Sequence, residues 1–323
     1  MVFRQAEALL QRGHAVQVVS PEAYPDWFDG EVPFQRGDLF QNDLLRGCDR
    51  LIGTTPLMIN RLYGFPSLRD KLCHLVQGYE GESEEGRPYL ERIEAAYACP
   101  VPKITVGTSL TAKLRSRYPD GRFWTVGQGL ENDCFFPGDA DRATHDDPID
   151  RVFVVGPLSI SYKQILLGLH AVRKAKTVLP GLKLVRISTV DTRAQEEPIA
   201  GPIDYYHVHL LPHEVGREFR NGNGVFFSSS GPEEGFGLPA LEALASGLPS
   251  VLTRIPSYTS FSEPLDYAAF VPADDPGAMA EGICALVADR AERERLVRRG
   301  LDVASQFSYE RVADRIEAFF LRG

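Results

Sequence analysis

Cysteine is scarce and unordered in this chain of 323 residues. Its five cysteines, Cys48, Cys73, Cys99, Cys134 and Cys284, are far apart, odd in number and form no C-x-x-C pair. Neither a disulfide frame nor a zinc knuckle is predicted, and the thiols read as reduced. No window offers the roughly 18 uncharged apolar residues of a membrane span. The opening MVFRQAEALLQRGHAV sets Arg4, Glu7 and Arg12 where a signal peptide needs apolar residues. Basic side chains are outnumbered, 35 against 44 acidic ones, for a net charge of −9. A surface of that sign repels a phosphate backbone, so nucleic acid is not an expected partner. Also missing are an internal repeat, a low-complexity segment, a G-x-G-x-x-G after a first strand and a G-x-x-x-x-G-K-[ST]. Dinucleotide oxidoreductases and P-loop enzymes are thereby disfavoured. What remains is a cytoplasmic protein, at most peripheral to a membrane, whose 43% hydrophobic and 24% charged residues suit an ordinary folded chain.

The length exceeds what one hydrophobic core usually absorbs and favours two domains of roughly 150 residues. Apolar positions Val2, Phe3, Ala6, Leu9 and Leu10 share one helix face, which ends at Arg12-Gly13 and feeds a strand over 15–20. Short strands follow at 50–54, 72–77, 104–107 and 123–126, with helices near 91–97 and 109–118 and a polar, aromatic-rich stretch over 22–38. The segment PGDADRATHDDPID, 137–150, has no apolar periodicity and reads as a linker. After it, strands at 152–155, 182–187, 205–210, 225–229 and 250–253 alternate with helices at 164–177, 214–220 and 239–246, and three helices close the chain from 275 onward. Alternation of this kind means βα units and parallel sheets. The predicted fold is α/β, with two Rossmann-like doubly wound domains and a ligand site in a cleft between them.

The densest chemical signal is Ser228-Ser-Ser-Gly-Pro-Glu-Glu-Gly-Phe-Gly-Leu-Pro-Ala-Leu-Glu-Ala-Leu-Ala-Ser-Gly-Leu-Pro249. A strand ends at the serines, a loop with Gly235 and Gly237 follows, and Pro239 sits where it can occupy the first helical position with φ already set. The free N–H groups and positive dipole end of such a helix form an anion site. Glu234 and Glu242 bracket the loop, and carboxylates beside a phosphate make sense if they accept hydrogen bonds from sugar or ribose hydroxyls. The same residues also fit a plain strand–turn–helix with solvated glutamates.

With its glycines and prolines in place, this spacing resembles the E-x7-E signature of the retaining glycosyltransferases of family 4, which have the GT-B fold. Arg12-Gly-His-Ala-Val-Gln-Val-Val is similar to the first-helix exit of that family. Val154-Val-Gly-Pro-Leu-Ser-Ile-Ser-Tyr-Lys163 is similar to its strand, glycine loop and lysine, and Phe307-Ser-Tyr-Glu-Arg-Val-Ala-Asp-Arg-Ile to its terminal helix crossing back to the N-terminal domain. Leu75-Val-Gln-Gly-Tyr-Glu80 resembles a V-Q-D-Y-E segment of some rhamnosyltransferase-like members. The resemblance implies an N-terminal acceptor-side domain over 1–140, a nucleotide-sugar-binding domain over 151–306 and a crossing helix over 307–323.

It also implies roles. Glu234 would meet the donor sugar's hydroxyls and Glu242 the ribose. The backbone of Gly235, Phe236, Gly237 and Leu238 would meet sugar and diphosphate, and Lys163, after the Gly156 loop, would neutralise the diphosphate as the bond breaks. Leu210 and Leu211 would offer backbone groups to the base. The implied reaction moves a sugar from a nucleotide diphosphate donor to a hydroxyl acceptor, which could be a glycan, a lipid-linked sugar or a small molecule. It proceeds with retention through a front-face mechanism, needing no cofactor or metal because a lysine and a helix dipole stabilise the leaving group. Two departures stand out. Pro157 occupies the place of an arginine that usually follows the loop glycine, and the chain opens inside the family's first helix, without the preceding strand and glycine loop.

Other residues carry weaker signals. His74, beside Gln77 and Glu80 at a predicted strand end, could reach the cleft and touch substrate, or be a core histidine. Lys163 could be an ordinary solvated residue of a first turn. His207, His209 and His213 resemble a metal cluster, but Pro212 interrupts it and no cysteine or carboxylate pair completes a shell; no metal site is expected. His14 is read as structural. Lys113, Arg115, Arg117 and Arg122 form a basic cluster better read as a solvated helix face than as a dock for anionic lipid. The competing readings are a non-catalytic sugar-nucleotide-binding or scaffold protein on the same fold, and a nucleotide-sugar epimerase.

Overall fold

A computed structural model of the protein describes residues 1–37, 44–138, 149–221 and 223–322. They form two compact units: Met1–Gly129 with Phe307–Gly323, and Leu130–Gln306.

The first unit opens with α1 (Val2–Gln11), which buries Gln5, Ala6 and Ala8. Strand β1 (Val18–Ser20) pairs in parallel with β2 (Phe34–Arg36), a strand inside the stretch that reads as irregular. Around them Phe3, Tyr24, Trp27, Phe28 and Phe34 interlock, with Phe3 and Tyr24 rings edge to face at 5.1 Å. After α2 (Leu44–Gly47), a four-stranded parallel sheet runs in sequence order through β3 (Leu51–Gly53), β4 (Leu72–Val76), β5 (Lys103–Thr105) and β6 (Phe123–Thr125). Its crossovers are α3 (Pro56–Tyr63), α4 (Leu90–Ala98) and α5 (Thr108–Arg117). Helix α3, not predicted from periodicity, starts where the Thr55 side chain accepts the Met58 N–H and Pro56 pre-sets φ.

The second unit has one six-stranded parallel sheet. Its strands are β7 (Arg151–Val155), β8 (Lys183–Ser188), β9 (Tyr205–Val208), β10 (Gly224–Ser228), β11 (Ser250–Thr253) and β12 (Ala269–Val271). Between them run α6 (Ile165–Val178), α7 (Arg193–Ala200), α8 (Pro212–Asn221), α9 (Leu238–Ala245) and α10 (Pro256–Thr259). Helices α11 (Pro276–Ala288) and α12 (Arg290–Ala304) complete it. The lateral order is β9-β8-β7-β10-β11-β12. Numbered from β7, that is 3-2-1-4-5-6, the doubly wound order, with its switch point between β7 and β10. The central strands β7 and β10 are apolar in their middles, Val152–Val154 and Val225–Phe227, as strands of a parallel sheet buried on both faces are. Val152, Val154, Leu169, Val172, Leu184, Val225, Phe227, Val251 and Ile283 make one core.

The last helix, α13 (Tyr309–Arg322), belongs to the first unit and lies against α1. Arg12 meets Glu317 Oε2 at 2.7 Å and Asp314 at 2.5 Å, and His14 lies 2.7 Å from Glu317, which fits the structural reading of His14. The division between units falls at Leu130, earlier than the boundary at 140. The segment after it packs into the second unit: the Phe135 ring lies tilted against Phe219, and the Cys134 carbonyl accepts from Arg220. Of the expected linker, residues 139–148 lie outside the described residues. Among the described residues, no helix is long and apolar enough to cross a membrane.

Candidate active site

In open parallel sheets, ligands bind at the carboxyl ends of the strands beside the switch point. Two loops leave that point here, one from β7 and one from β10, and they are stitched together. The Gly231 N–H donates to the Tyr162 carbonyl at 2.7 Å, and the Ser229 hydroxyl is shared between the carbonyls of Lys163 and Gln164 at 3.1 and 3.0 Å. The β7 loop turns at Gly156, whose φ of +130° is left to glycine, and closes in a 3-10 turn, Ser161–Lys163, before α6. The Lys163 side chain lies back over Gly156: a Cβ there would sit 3.5 Å from Lys163 Cδ.

Lys163 and Glu234 meet at this junction. The Lys163 ammonium donates to Glu234 Oε2 at 2.5 Å, and Ser230 donates to the same oxygen at 3.2 Å. Both side chains are largely buried, 13% and 7% exposed, so the pair is only weakly screened by solvent. Behind it the Tyr258 hydroxyl sits between Ser228 Oγ, at 2.7 Å, and Ser230 Oγ, at 3.1 Å, and burial pushes its phenol upward. The sequence alone assigns no role to Ser230 or Tyr258. The serines were visible at the strand end, but Tyr258 comes from α10, a segment with no motif of its own.

Gly235, Phe236 and Gly237 line the inner side of the loop. Gly237 caps α9 with φ at +87°, and its missing Cβ leaves room for the Tyr258 ring. Helix α9 begins at Leu238, which puts Pro239 at the second helical position rather than the first, where its missing N–H is equally harmless. The first turn has no side-chain cap and no acidic residue, so the helix start is open to an anion. The Phe236 ring turns inward onto Phe261, 5.2 Å between centroids, leaving only its backbone for a ligand.

Glu242 lies one turn into α9. Its surface is only partly covered, yet the protein packed around the carboxyl withholds water, and Glu131 adds like charge, so its pKa is pushed up to about 8 against an opposing pull from Lys163. Near pH 7 it is mainly a neutral acid. Such a group can donate and accept hydrogen bonds to hydroxyls without repelling a neighbouring phosphate.

Two expectations change. His74 is the middle residue of β4, has no exposed surface and packs against Tyr97 with ring centroids 5.3 Å apart. It cannot reach a ligand and is a core histidine; burial and the neighbouring Lys103 lower its pKa to about 3. The Leu211 N–H donates to Glu214 Oε2 at 2.8 Å, and its carbonyl accepts from Glu214 and Val215, so its backbone groups are consumed in starting α8. The basic cluster is engaged internally: Lys113 with Glu82, Arg117 with Glu94, Arg115 with the Phe123 carbonyl and Arg122 with that of Pro100.

Among the described residues His207, His209 and His213 do not converge. The acidic, thiol and imidazole groups that do come within 4.8 Å of one another are Glu131, Asp133 and Cys134 on one turn, with Asp133 exposed. His207 instead lies 3.6 Å from Glu218.

Residues 149–289 match the family described as Glycosyl transferases group 1. A curated GDP-mannose:cellobiosyl-diphosphopolyprenol alpha-mannosyltransferase of Komagataeibacter xylinus is 26% identical over 220 residues, 65% of this chain and 54% of that protein. The chain thus spans about half the length of this curated relative. Among solved structures, sucrose-phosphate synthase of Thermosynechococcus elongatus superposes with a TM-score of 0.77 at 19% identity, over 99% of this chain and 92% of the other. Anabaena HepE, solved with UDP and glucose, superposes at 0.70 and 12% identity, over 90% and 86%. A glycosyltransferase from Rickettsia africae does so at 0.68 and 12%, over 98% and 92%. The chain therefore has the GT-B fold of these glycosyltransferases, and the part of it that matches Glycosyl transferases group 1 is residues 149–289.

Proposed function

We propose that the protein transfers a sugar from a nucleotide diphosphate donor to a hydroxyl acceptor, with retention of configuration and without a metal ion. The observation that carries this reading is the Lys163–Glu234 pair, 2.5 Å apart, joining the two loops at the switch point of the sheet. Each partner suits one half of a donor. The diphosphate draws the ammonium to itself, which frees Glu234 to accept hydrogen bonds from sugar hydroxyls. The open start of α9 faces the second charge of the diphosphate, and Glu242, neutral near pH 7, takes the ribose hydroxyls.

Chemistry follows from that charge placement. The bond between the anomeric carbon and the diphosphate oxygen breaks as negative charge collects on the leaving oxygen, where Lys163 stabilises it. The acceptor hydroxyl attacks from the same face, and its proton passes to the departing diphosphate, so nucleoside diphosphate and glycoside are the products. Lysine and helix start supply the positive charge that a metal supplies elsewhere.

Both the curated mannosyltransferase and the HepE complex support a nucleotide-sugar donor, one named for GDP-mannose and the other holding UDP and glucose. The relative's name also makes a diphosphopolyprenol-linked sugar a sensible first acceptor. The test is incubation with GDP-mannose or UDP-glucose and a polyprenyl-diphosphate disaccharide, with and without EDTA, followed by proton NMR of the product. Nucleoside diphosphate release with the donor's anomeric configuration kept, unaffected by EDTA, is expected. An inverted product, loss of turnover with EDTA, or binding without turnover would overturn the corresponding part.

A further inference from the structure

The glycine loop that supports Lys163 is held from beneath by a buried ion pair that the reaction does not touch. Arg186, on β8, and Glu196, on α7, both have side chains with no exposed surface. Arg186 Nε donates to Glu196 Oε2 at 2.9 Å and Nη2 to Oε1 at 3.0 Å, a two-pronged contact. The three remaining N–H groups of the guanidinium go to main-chain carbonyls: Val154 at 3.1 Å, Ile187 at 2.8 Å and Gly156 at 2.6 Å. All five donors are used. Glu196 in turn accepts the Thr192 hydroxyl at 2.8 Å.

A buried ion pair gives little net stability, and an apolar pair of similar volume often serves as well. This one is specific in where it points. Val154 and Gly156 flank the last residue of β7, and the Gly156 carbonyl fixes the peptide plane from which the loop departs. Gly156 also accepts no side chain, and the Lys163 stem lies across it. Pro157 follows, so the loop has no N–H there to hold itself. Arg186 cannot itself serve a diphosphate, because it is enclosed and already neutralised by Glu196.

We propose that Arg186, locked by Glu196, is a positioning residue that sets the Gly156 turn and through it the Lys163 ammonium for the donor diphosphate. This rests on the donor reading above and adds to it a residue outside the ligand's reach.

The test is a cycle read by calorimetric titration of UDP and of GDP into the full chain. Arg186→Met with Glu196→Met removes both charges together, and a thermal melt establishes folding. Expected is about a tenfold weaker nucleoside diphosphate affinity in the otherwise wild-type protein, and less than a twofold change when Lys163→Ala is already present, since the pair acts only through that ammonium. Should the double variant fail to fold, Arg186→Lys takes its place: it keeps a cation against Glu196 but has no fork to reach both carbonyls, and the same dependence on Lys163 is expected. Equal losses in both backgrounds, or none in either, would overturn the positioning role while leaving the donor reading intact. A wild-type protein that binds neither UDP nor GDP would overturn the donor reading and this one with it.

Discussion

At the scale of single residues, two titrations and one amine can be tested directly. Lys163→Ala removes the cation expected at the leaving oxygen, and kcat/KM for donor turnover should fall by a hundredfold or more, about 3 kcal/mol of transition-state stabilisation. Unchanged steady-state kinetics would remove Lys163 from the chemistry. Glu242 has a folded pKa near 8 against an ordinary 4.5, so between those values the folded state holds a proton that the unfolded chain has released. Stability from this group is full below about pH 4.5 and is lost as pH rises toward 8. Melting temperatures of Glu242→Gln should decline less than wild type over that window, and parallel curves would refute the assignment. His74 has the opposite sign. Its folded pKa near 3 lies below the ordinary 6.5, so protons bind the unfolded chain first and stability falls as pH drops from about 6.5 toward 3. His74→Leu should flatten that acid limb and leave donor kinetics unchanged. A kinetic defect in a folded His74→Leu protein would return this residue to the site.

Elements were more legible than contacts. The strands at 72–76, 151–155 and 250–253 and the helices after residue 275 could be read because apolar runs and 3.6-residue periodicity are local properties of the chain. Strand β2 escaped because only three residues pair, within a stretch rich in turn formers, and α7 because Pro198 sits inside it. The start of α9 was legible from Gly237 and Pro239, and the structure adds what presses on it. Gly237→Ala would place a methyl against the Tyr258 ring at a φ of +87°, so a loss of at least about 1 kcal/mol is expected from backbone strain alone. Denaturant melts of the variant provide the check, and a midpoint equal to wild type would mean that the loop relaxes freely.

For the whole molecule, composition and alternation indicated two α/β units, and the structure moved their border. Residues from Leu130 onward belong with the second unit because Phe135, 3% exposed, and the Cys134 carbonyl are bound by Phe219 and Arg220 of α8. A fragment spanning Leu130–Gln306 should therefore melt cooperatively, whereas one starting at Arg151 should be weaker by about 3 kcal/mol or more, the usual consequence of losing a buried phenylalanine. Equal melting of the two fragments by circular dichroism would restore the later border. By itself the sequence determined the alternating architecture, the glycine and proline punctuation of the two loops, and the pair of glutamates with seven residues between them. Only the tertiary structure decided that Lys163 faces Glu234, that Tyr258 backs Ser230, that Arg186 grips Gly156 and that His74 is enclosed. Each of those pairings depends on which strands lie side by side, a consequence of sheet order that short-range patterns along a chain do not encode.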